Sequence, residues 1–230
     1  MKDEVEIDFR DTFEDGVGVR SARQFLQNTI EYFVEESFKF HKHWGEFPFI
    51  YSEKQVNSVI TPAIYKCTEN IWLEQPFKKT GNNQRFLDIA TTKGKNIYLI
   101  ELKHSWNSKI DGVAKYTDKE WEKAIEQISD INRRTIGAHF NYKEYTVFKI
   151  ALMVMPTYLS SETQHSILNL SAKEYTDMLF EEYERYTAKK NKANFIGSIK
   201  IKEPMKYEHE YFNGNQIYPF ISFVARIEKI

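Results

Sequence analysis

"RFLDIATTKGKNIYLIELKHSW" (residues 85–106) places one Asp, one Glu and several Lys inside two runs of strand-forming apolar residues. A sheet interior ordinarily excludes charge, because an ionised group taken out of water must be paired or hydrogen-bonded. The stretch divides at Gly94-Lys95 into strands over 85–92 and 96–104. Glycine at the first of two turn positions suits a type II′ hairpin. Lys93 then faces Asn96, and counting back along the ladder sets Asp88 directly opposite Glu101. Lys103, two residues on, shares the face of Glu101. The other face collects Leu87, Ile89, Tyr98, Ile100 and Leu102. Asp88, Glu101 and Lys103 are therefore expected to converge at one end of an otherwise apolar sheet.

Two opposed carboxylates about 5 Å apart repel each other, and the cost grows as water is removed. A cation between them relieves it. Hard oxygen donors in this arrangement suit Mg²⁺, which takes a few carboxylates and completes its shell with water and phosphate oxygens. A neighbouring lysine can orient the attacking water, help lower its pKa, or hold a phosphate oxygen as a point charge. The chemistry these residues suggest is metal-assisted hydrolysis of a phosphodiester.

Working outward, Ser21 with Gln24 forms a capping-box pattern before Leu26, Ile30, Phe33, Val34 and Phe38, and predicts a helix. "HKHWGEFPFIY" breaks it at Gly45 and Pro48. Ser52 with Gln55 opens a second helix on Val56, Val59, Ile60, Ala63, Ile64 and Cys67, which Pro62 should kink or end early. "IWLEQPF" (71–77) reads as a strand and "KKTGNNQ" (78–84) as a turn-rich loop. Thr117 with Glu120 caps a third helix, carried by Trp121, Ala124, Ile125, Ile128 and Ile131. "TVFKIALMVM" (146–155) is a near-continuous apolar run, the mark of a strand buried on both faces. Ser171 with Glu174 opens a last helix to about residue 188, and strands over 194–202 and 217–228 follow. Residues 1–20 look irregular and acidic.

Asp88, a gap of 12 residues, and then "ELK" (101–103) resemble the PD-(D/E)xK nuclease signature of restriction-endonuclease-like proteins. The element order from 52 to 155 resembles that family's αβββαβ core. The resemblance implies an α/β fold of three layers, with a mixed central sheet flanked by helices. It also implies Mg²⁺-dependent cleavage of nucleic acid, usually DNA, with Mn²⁺ able to substitute, by an endonuclease of the restriction, defence or mobile-element type. On the family pattern Asp88 and Glu101 are metal ligands, the Leu102 carbonyl is a further ligand, and Lys103 positions the water. Glu53, in the first turn of the second helix, is the candidate for the acidic residue such proteins carry before the sheet, with Glu69 its rival. Gln127 in "AIEQISD" matches a Gln found on the following helix. "FLD" stands where the family name has Pro-Asp. The alternative is a nuclease-like fold that no longer cleaves and binds nucleic acid or a protein partner.

Length and composition frame this. The chain has 230 residues, 41% apolar and 15% aromatic, enough for a sizeable core. One domain over 1–230 is expected, with a core at about 52–155, an N-terminal helical extension (1–51) and a C-terminal α+β extension (156–230). Lys and Arg number 32 against 33 Asp and Glu, so bulk charge supplies no argument for a duplex-coating protein. The single cysteine, Cys67, excludes an internal disulfide and a cysteine zinc site. No apolar leader is evident and no run approaches the roughly 18 residues of a membrane span, which suggests a cytoplasmic protein. A homodimer is compatible with duplex cleavage, since one such site cuts one strand. His41 and His43 read as a polar turn, His104 as structural because it faces away from Lys103, and "DGVGVR" as a loop. Lys78-Lys79, Arg133-Arg134 and Lys189-Lys190-Lys192 are candidate phosphate contacts.

Overall fold

The structure, a computed structural model, describes residues 3–14, 16–78, 84–136, 144–163, 165–186, 191–212 and 214–230. The 146–155 run lies at its centre. It forms strand β5 (Thr146–Ser160), whose even residues Phe148, Ile150, Leu152 and Val154 enter one core while Val147, Ala151, Met153 and Met155 enter another. Alternation with both sides apolar requires cover on both faces of the sheet.

The remaining strands are β1 (Val5–Asp11), β2 (Asn70–Lys78), β3 (Gln84–Lys93), β4 (Asn96–His104), β6 (Phe195–Ile201), β7 (His209–Tyr211) and β8 (Gly214–Lys229). All eight share one sheet in the order β1-β6-β8-β5-β4-β3-β2, with β7 on β8. The β4–β5 pair is parallel and the others antiparallel, so the sheet is mixed. Helices α1 (Val19–Trp44) and α2 (Glu53–Cys67) cover one face through Phe25, Ile30, Phe33, Val56, Ile60 and Ile64. Helices α3 (Lys115–Ser129) and α5 (Ala172–Glu184) cover the other through Trp121, Ile125, Tyr175, Leu179 and Tyr183. A single turn of helix, α4 (Arg133–Ile136), follows α3. The fold is thus α/β, and the segments outside 52–155 are built into its sheet: β8 pairs along almost all of β5.

Several local expectations give way to tertiary contacts. Residues 5–11 are not irregular but form an edge strand, with Glu6 accepting a hydrogen bond from the Ala172 amide at the start of α5 (3.1 Å). Ser21 does not cap α1, which begins at Gly18 (φ 84°). Its hydroxyl instead shares a 3.1 Å hydrogen bond with the Tyr98 hydroxyl and receives one from Asn96. His41 and His43 belong to the last turn of α1, where the helix dipole favours cationic side chains, and Gly45 (φ 77°) closes it. Pro62 neither ends α2 nor prevents its running to Cys67, because the flanking Val59, Ile60, Ala63 and Ile64 are all buried. Ser52 is the N-cap of α2 by position, yet its hydroxyl contacts the Gln55 side chain instead of the helix backbone. Thr117 does not cap α3: its hydroxyl donates to the Trp106 carbonyl (2.6 Å). Ser171 and Glu174 do form a capping box, but α5 ends at Glu184. The loop expected over 78–84 falls mainly on 79–83, and the Lys189-Lys190 cluster on 187–190, outside the described residues. Among the described residues no helix is long and apolar enough to cross a membrane.

Candidate active site

The β3–β4 hairpin turns as its sequence requires. Gly94 has φ 54°, the left-handed region that glycine tolerates and the type II′ turn needs at its first position. Its amide donates to Glu69 Oε1 at 2.8 Å, so Glu69 braces the turn at the far end of the hairpin from Lys103. Pairing then runs from Lys93–Asn96 to Ile89–Ile100 in the expected register.

At Asp88 the ladder stops. The expected Asp88–Glu101 pair is not formed; Asp88 Oδ2 accepts a hydrogen bond from the Leu102 amide at 2.7 Å, taking the place of a backbone acceptor. Across the other edge of β3, Glu74 sits between the Leu73–Ile89 and Gln75–Leu87 pairs with φ 51°. The strand changes face here. Leu87, expected beside Ile89, packs instead in the α3–α5 core with Phe77 and Leu99. A notch opens between β3 and β4, and charged side chains fill it.

Lys103 stands in the middle of that notch. Its Nζ donates to Glu101 Oε1 (2.8 Å) and to the Leu102 carbonyl (2.8 Å). It lies 3.8 Å from Glu53 Oε2 and 3.9 Å from Asp88 Oδ2. Glu53 therefore joins the group from the first turn of α2, and Glu69 does not. Glu120 on α3 and Glu74 on β2 add to the negative field felt by Glu53. Neither is legible as a site residue in the sequence: Glu120 stands at capping-box spacing from Thr117, and Glu74 lies in a strand whose local distortion is a tertiary effect.

Burial grades across the notch, from a Glu101 side chain 6% exposed to a Glu53 side chain 39% exposed. Glu101 is pushed up to about 7, first by burial and then by the Asp88 charge, despite the opposing pull of Lys103. Burial likewise raises Glu53, opposed by Lys103 and reinforced by Asp88. Burial alone would lower the Lys103 ammonium, but Glu101, Asp88 and Glu53 outweigh it and the net shift is upward. One cation thus remains protonated among carboxylates that it does not fully compensate.

The donors fit a hard divalent ion in kind: two carboxylates, Asp88 and Glu101, and the Leu102 carbonyl, with Glu101 held short of charge compensation. Among the described residues no three acidic, imidazole or thiol side chains are already grouped as a metal cage. The Lys103 ammonium lies between them.

Gln127 is placed differently. It lines an open cleft of about 560 Å³ with Arg85, Phe86, Lys123 and Glu126. It shares a helix face with Glu120 and Lys123, at i, i+3 and i+7 spacing. No described contact joins it to the Glu101–Lys103 pair. His104 faces away from Lys103; its Nε2–H donates to the Phe49 carbonyl (2.8 Å), and its ring meets the Trp106 edge at 4.8 Å. Burial lowers its pKa to about 4, so it is a neutral packing residue near pH 7. The Gly16–Gly18 segment starts α1, with Gly18 close against Asn96 and Phe148. No family model, curated protein or solved structure matches the chain.

Proposed function

We propose that this protein is a divalent-metal-dependent nuclease hydrolysing phosphodiester bonds of DNA, an endonuclease of the restriction, defence or mobile-element kind. One observation carries the reading. Asp88, Glu101, the Leu102 carbonyl and Lys103 meet where β3 and β4 part, with Glu53 brought in by α2. The element order α2-β2-β3-β4-α3-β5 agrees with the resemblance to PD-(D/E)xK nucleases.

Asp88, Glu101 and the Leu102 carbonyl would hold Mg²⁺ or Mn²⁺. When bound, such an ion supplies Lewis-acid polarisation of a phosphate oxygen and a lowered pKa for coordinated water. Asp88 is held in orientation by the Leu102 amide, which fixes one carboxylate oxygen and leaves the other free. Lys103, kept protonated by its neighbours, acts as a donor and a positive charge: it orients a water or a phosphate oxygen and does not remove a proton. Glu53, which is not among the donors that would hold the ion and whose carboxyl burial raises, is the group placed to receive a proton from a water that Lys103 orients.

Supercoiled plasmid incubated with Mg²⁺ or Mn²⁺ tests the proposal. Wild type should nick it, EDTA should stop the reaction, and Glu101→Ala and Lys103→Ala should abolish it while retaining the wild-type circular dichroism spectrum. A homodimer would convert nicks to linear product. DNA binding indifferent to EDTA and to both substitutions, without strand breakage, would instead mark a non-cleaving binding protein.

A further inference from the structure

We infer that the substrate of this site is single-stranded DNA, one of whose unpaired bases stacks in an aromatic cleft beside the notch. The inference rests on the nuclease reading and adds the substrate class to it.

The cleft measures about 360 Å³ and is lined by Trp106, Tyr116, Tyr158, Tyr211 and Tyr218, together with Ile50. That volume lies within the range of small-ligand clefts. Part of its wall lies close in the chain to the charged site, and the rest comes from β5, β7 and β8. Ile50 precedes Glu53 by three residues, Trp106 follows Lys103 by three, and Tyr116 lies one helical turn before Glu120. Tyr116 and Glu120 lie on the same helix as Lys123, whose ammonium pairs with Glu120 at 2.6 Å. The Trp106 segment continues the sheet edge: Asn107 bridges Thr157 in parallel, and the Tyr158 amide donates to the Asn107 carbonyl (3.0 Å).

One ring is fixed and others are open to solvent. Trp106 Nε1–H donates to the Ile50 carbonyl at 2.9 Å, which satisfies its one polar atom and pins the indole plane. Tyr116 is 56% exposed. The β7–β8 hairpin carries Tyr211 at the cleft and, next to it, Phe212, 87% exposed and 4.6 Å from the Tyr211 ring. An aromatic ring left almost wholly in water contributes nothing to the core. It is suited to stacking on a flat partner. Polar atoms are available at the walls in Ser108 and Gln216, and the exposed Lys109 and Lys115 alternate with lining residues along the chain. Aromatic faces beside a phosphodiester-cleaving site, with lysines along the approach, match the recognition of unpaired strands: stacking supplies affinity for any base, and charge tracks the backbone. A paired base inside a duplex cannot reach such a cleft.

The test measures binding in EDTA, where cleavage is absent, by anisotropy of fluorescein-labelled oligo(dT). The comparison ligands are the same strand with abasic sugars and a blunt duplex of equal length. Wild type should prefer oligo(dT) to the abasic strand. Tyr116→Ala and Phe212→Ala should each weaken oligo(dT) binding at least about fivefold while leaving the abasic strand unchanged, and Tyr116→Phe should bind as wild type. Both positions are exposed, and thermal melts confirm that the variants fold. Equal affinity for base-bearing and abasic strands, or unchanged binding in both alanine variants, overturns the inference. Cleavage separates it from the underlying reading. Plasmid nicking with no preference for bases leaves the nuclease standing and the cleft refuted. Base-dependent binding with no cleavage in any metal does the reverse.

Discussion

Glu101→Gln should stabilise the metal-free protein and disable it at the same time. Gln reproduces the neutral form of the side chain in shape and hydrogen-bonding atoms but cannot ionise. In the folded chain the Glu101 carboxyl is raised from 4.5 to about 7, with burial the first cause and Asp88 the second. The sign follows from linkage. The folded state holds its proton to higher pH than the unfolded state, so stability from this group is complete below about pH 4.5 and is lost as pH rises through about 7. The loss at pH 8 is about 3 kcal/mol, and at pH 5 it is under about 1 kcal/mol. For a chain of this length that corresponds to a melting temperature about 6 to 12 °C higher for the variant at pH 8. Differential scanning fluorimetry in EDTA at both pH values reads it. Mg²⁺ added at pH 8 should then raise the wild-type midpoint and leave that of the variant unchanged, because binding to the native state alone stabilises by mass action. A variant no more stable than wild type at pH 8, or equally stabilised at both pH values, would show that Glu101 is not a carboxylate held at a cost.

Lys103→Met removes the ammonium that, among the described residues, touches Glu101, and leaving a buried carboxylate without its partner should cost about 3 kcal/mol at pH 8. Urea titration should show that deficit shrinking toward pH 5, where Glu101 is protonated; a deficit independent of pH would refute the charge argument. His104 behaves oppositely to Glu101: its pKa falls from 6.5 to about 4 on burial. Stability from it is complete above about 6.5 and drains as pH falls toward about 4, a loss of about 2 kcal/mol by pH 5. His104→Gln should flatten that limb of the stability–pH curve, and an unchanged limb would count against it. A Cβ at Gly197 would fall 2.6 Å from Ile30 Cδ1 and 2.9 Å from Phe9 Cδ1, so Gly197→Ala should cost about 1 to 3 kcal/mol in the same titration.

How far the sequence spoke depended on the range of the interaction concerned. The hairpin register was legible because Gly94 fixes the turn and side chains alternate with a period of two, so Lys93–Asn96 determines every pair up to Ile89–Ile100. The buried stripe Trp121, Ala124, Ile125 and Ile128 and the two-sided run of β5 followed from periodicity alone. Illegible features depend on partners distant in the chain. Ser21 and Thr117 carried the right residue types for helix caps, yet Tyr98, Asn96 and the Trp106 carbonyl compete for those hydroxyls. Strand β1 hid behind the charges of Glu6, Asp8 and Arg10, which an edge strand tolerates. The face change between Leu87 and Ile89 coincides with Glu74 in a left-handed conformation on the neighbouring strand, and nothing in residues 85–106 encodes that. The convergence of Asp88, Glu101 and Lys103 was anticipated, but by a cross-strand pair. The structure achieves it by a side chain that replaces the pair.

That replacement also separates the notch from an ordinary charged sheet edge. Charges on an edge strand are solvated, and their ion pairs are worth little. Here Glu101 is 4% exposed as a residue, at the point where β3 and β4 give up their ladder, between helices on the two faces of the sheet. A buried network built for stability balances its charges, since each unpaired ion carries the cost of leaving water. This one does not balance. Around Lys103 stand Glu101, Asp88 and Glu53, with Glu74 and Glu120 in electrostatic reach of Glu53, and the Lys123 ammonium is engaged by Glu120 at 2.6 Å. Glu101 shows the consequence in a carboxyl that resists ionisation although a lysine touches it. A surplus of negative charge repels a phosphate and attracts a cation, so an anionic substrate and this notch are compatible only when positive charge joins them. On the nuclease reading proposed above, the residues that lower stability at neutral pH are the ones that would hold the divalent ion.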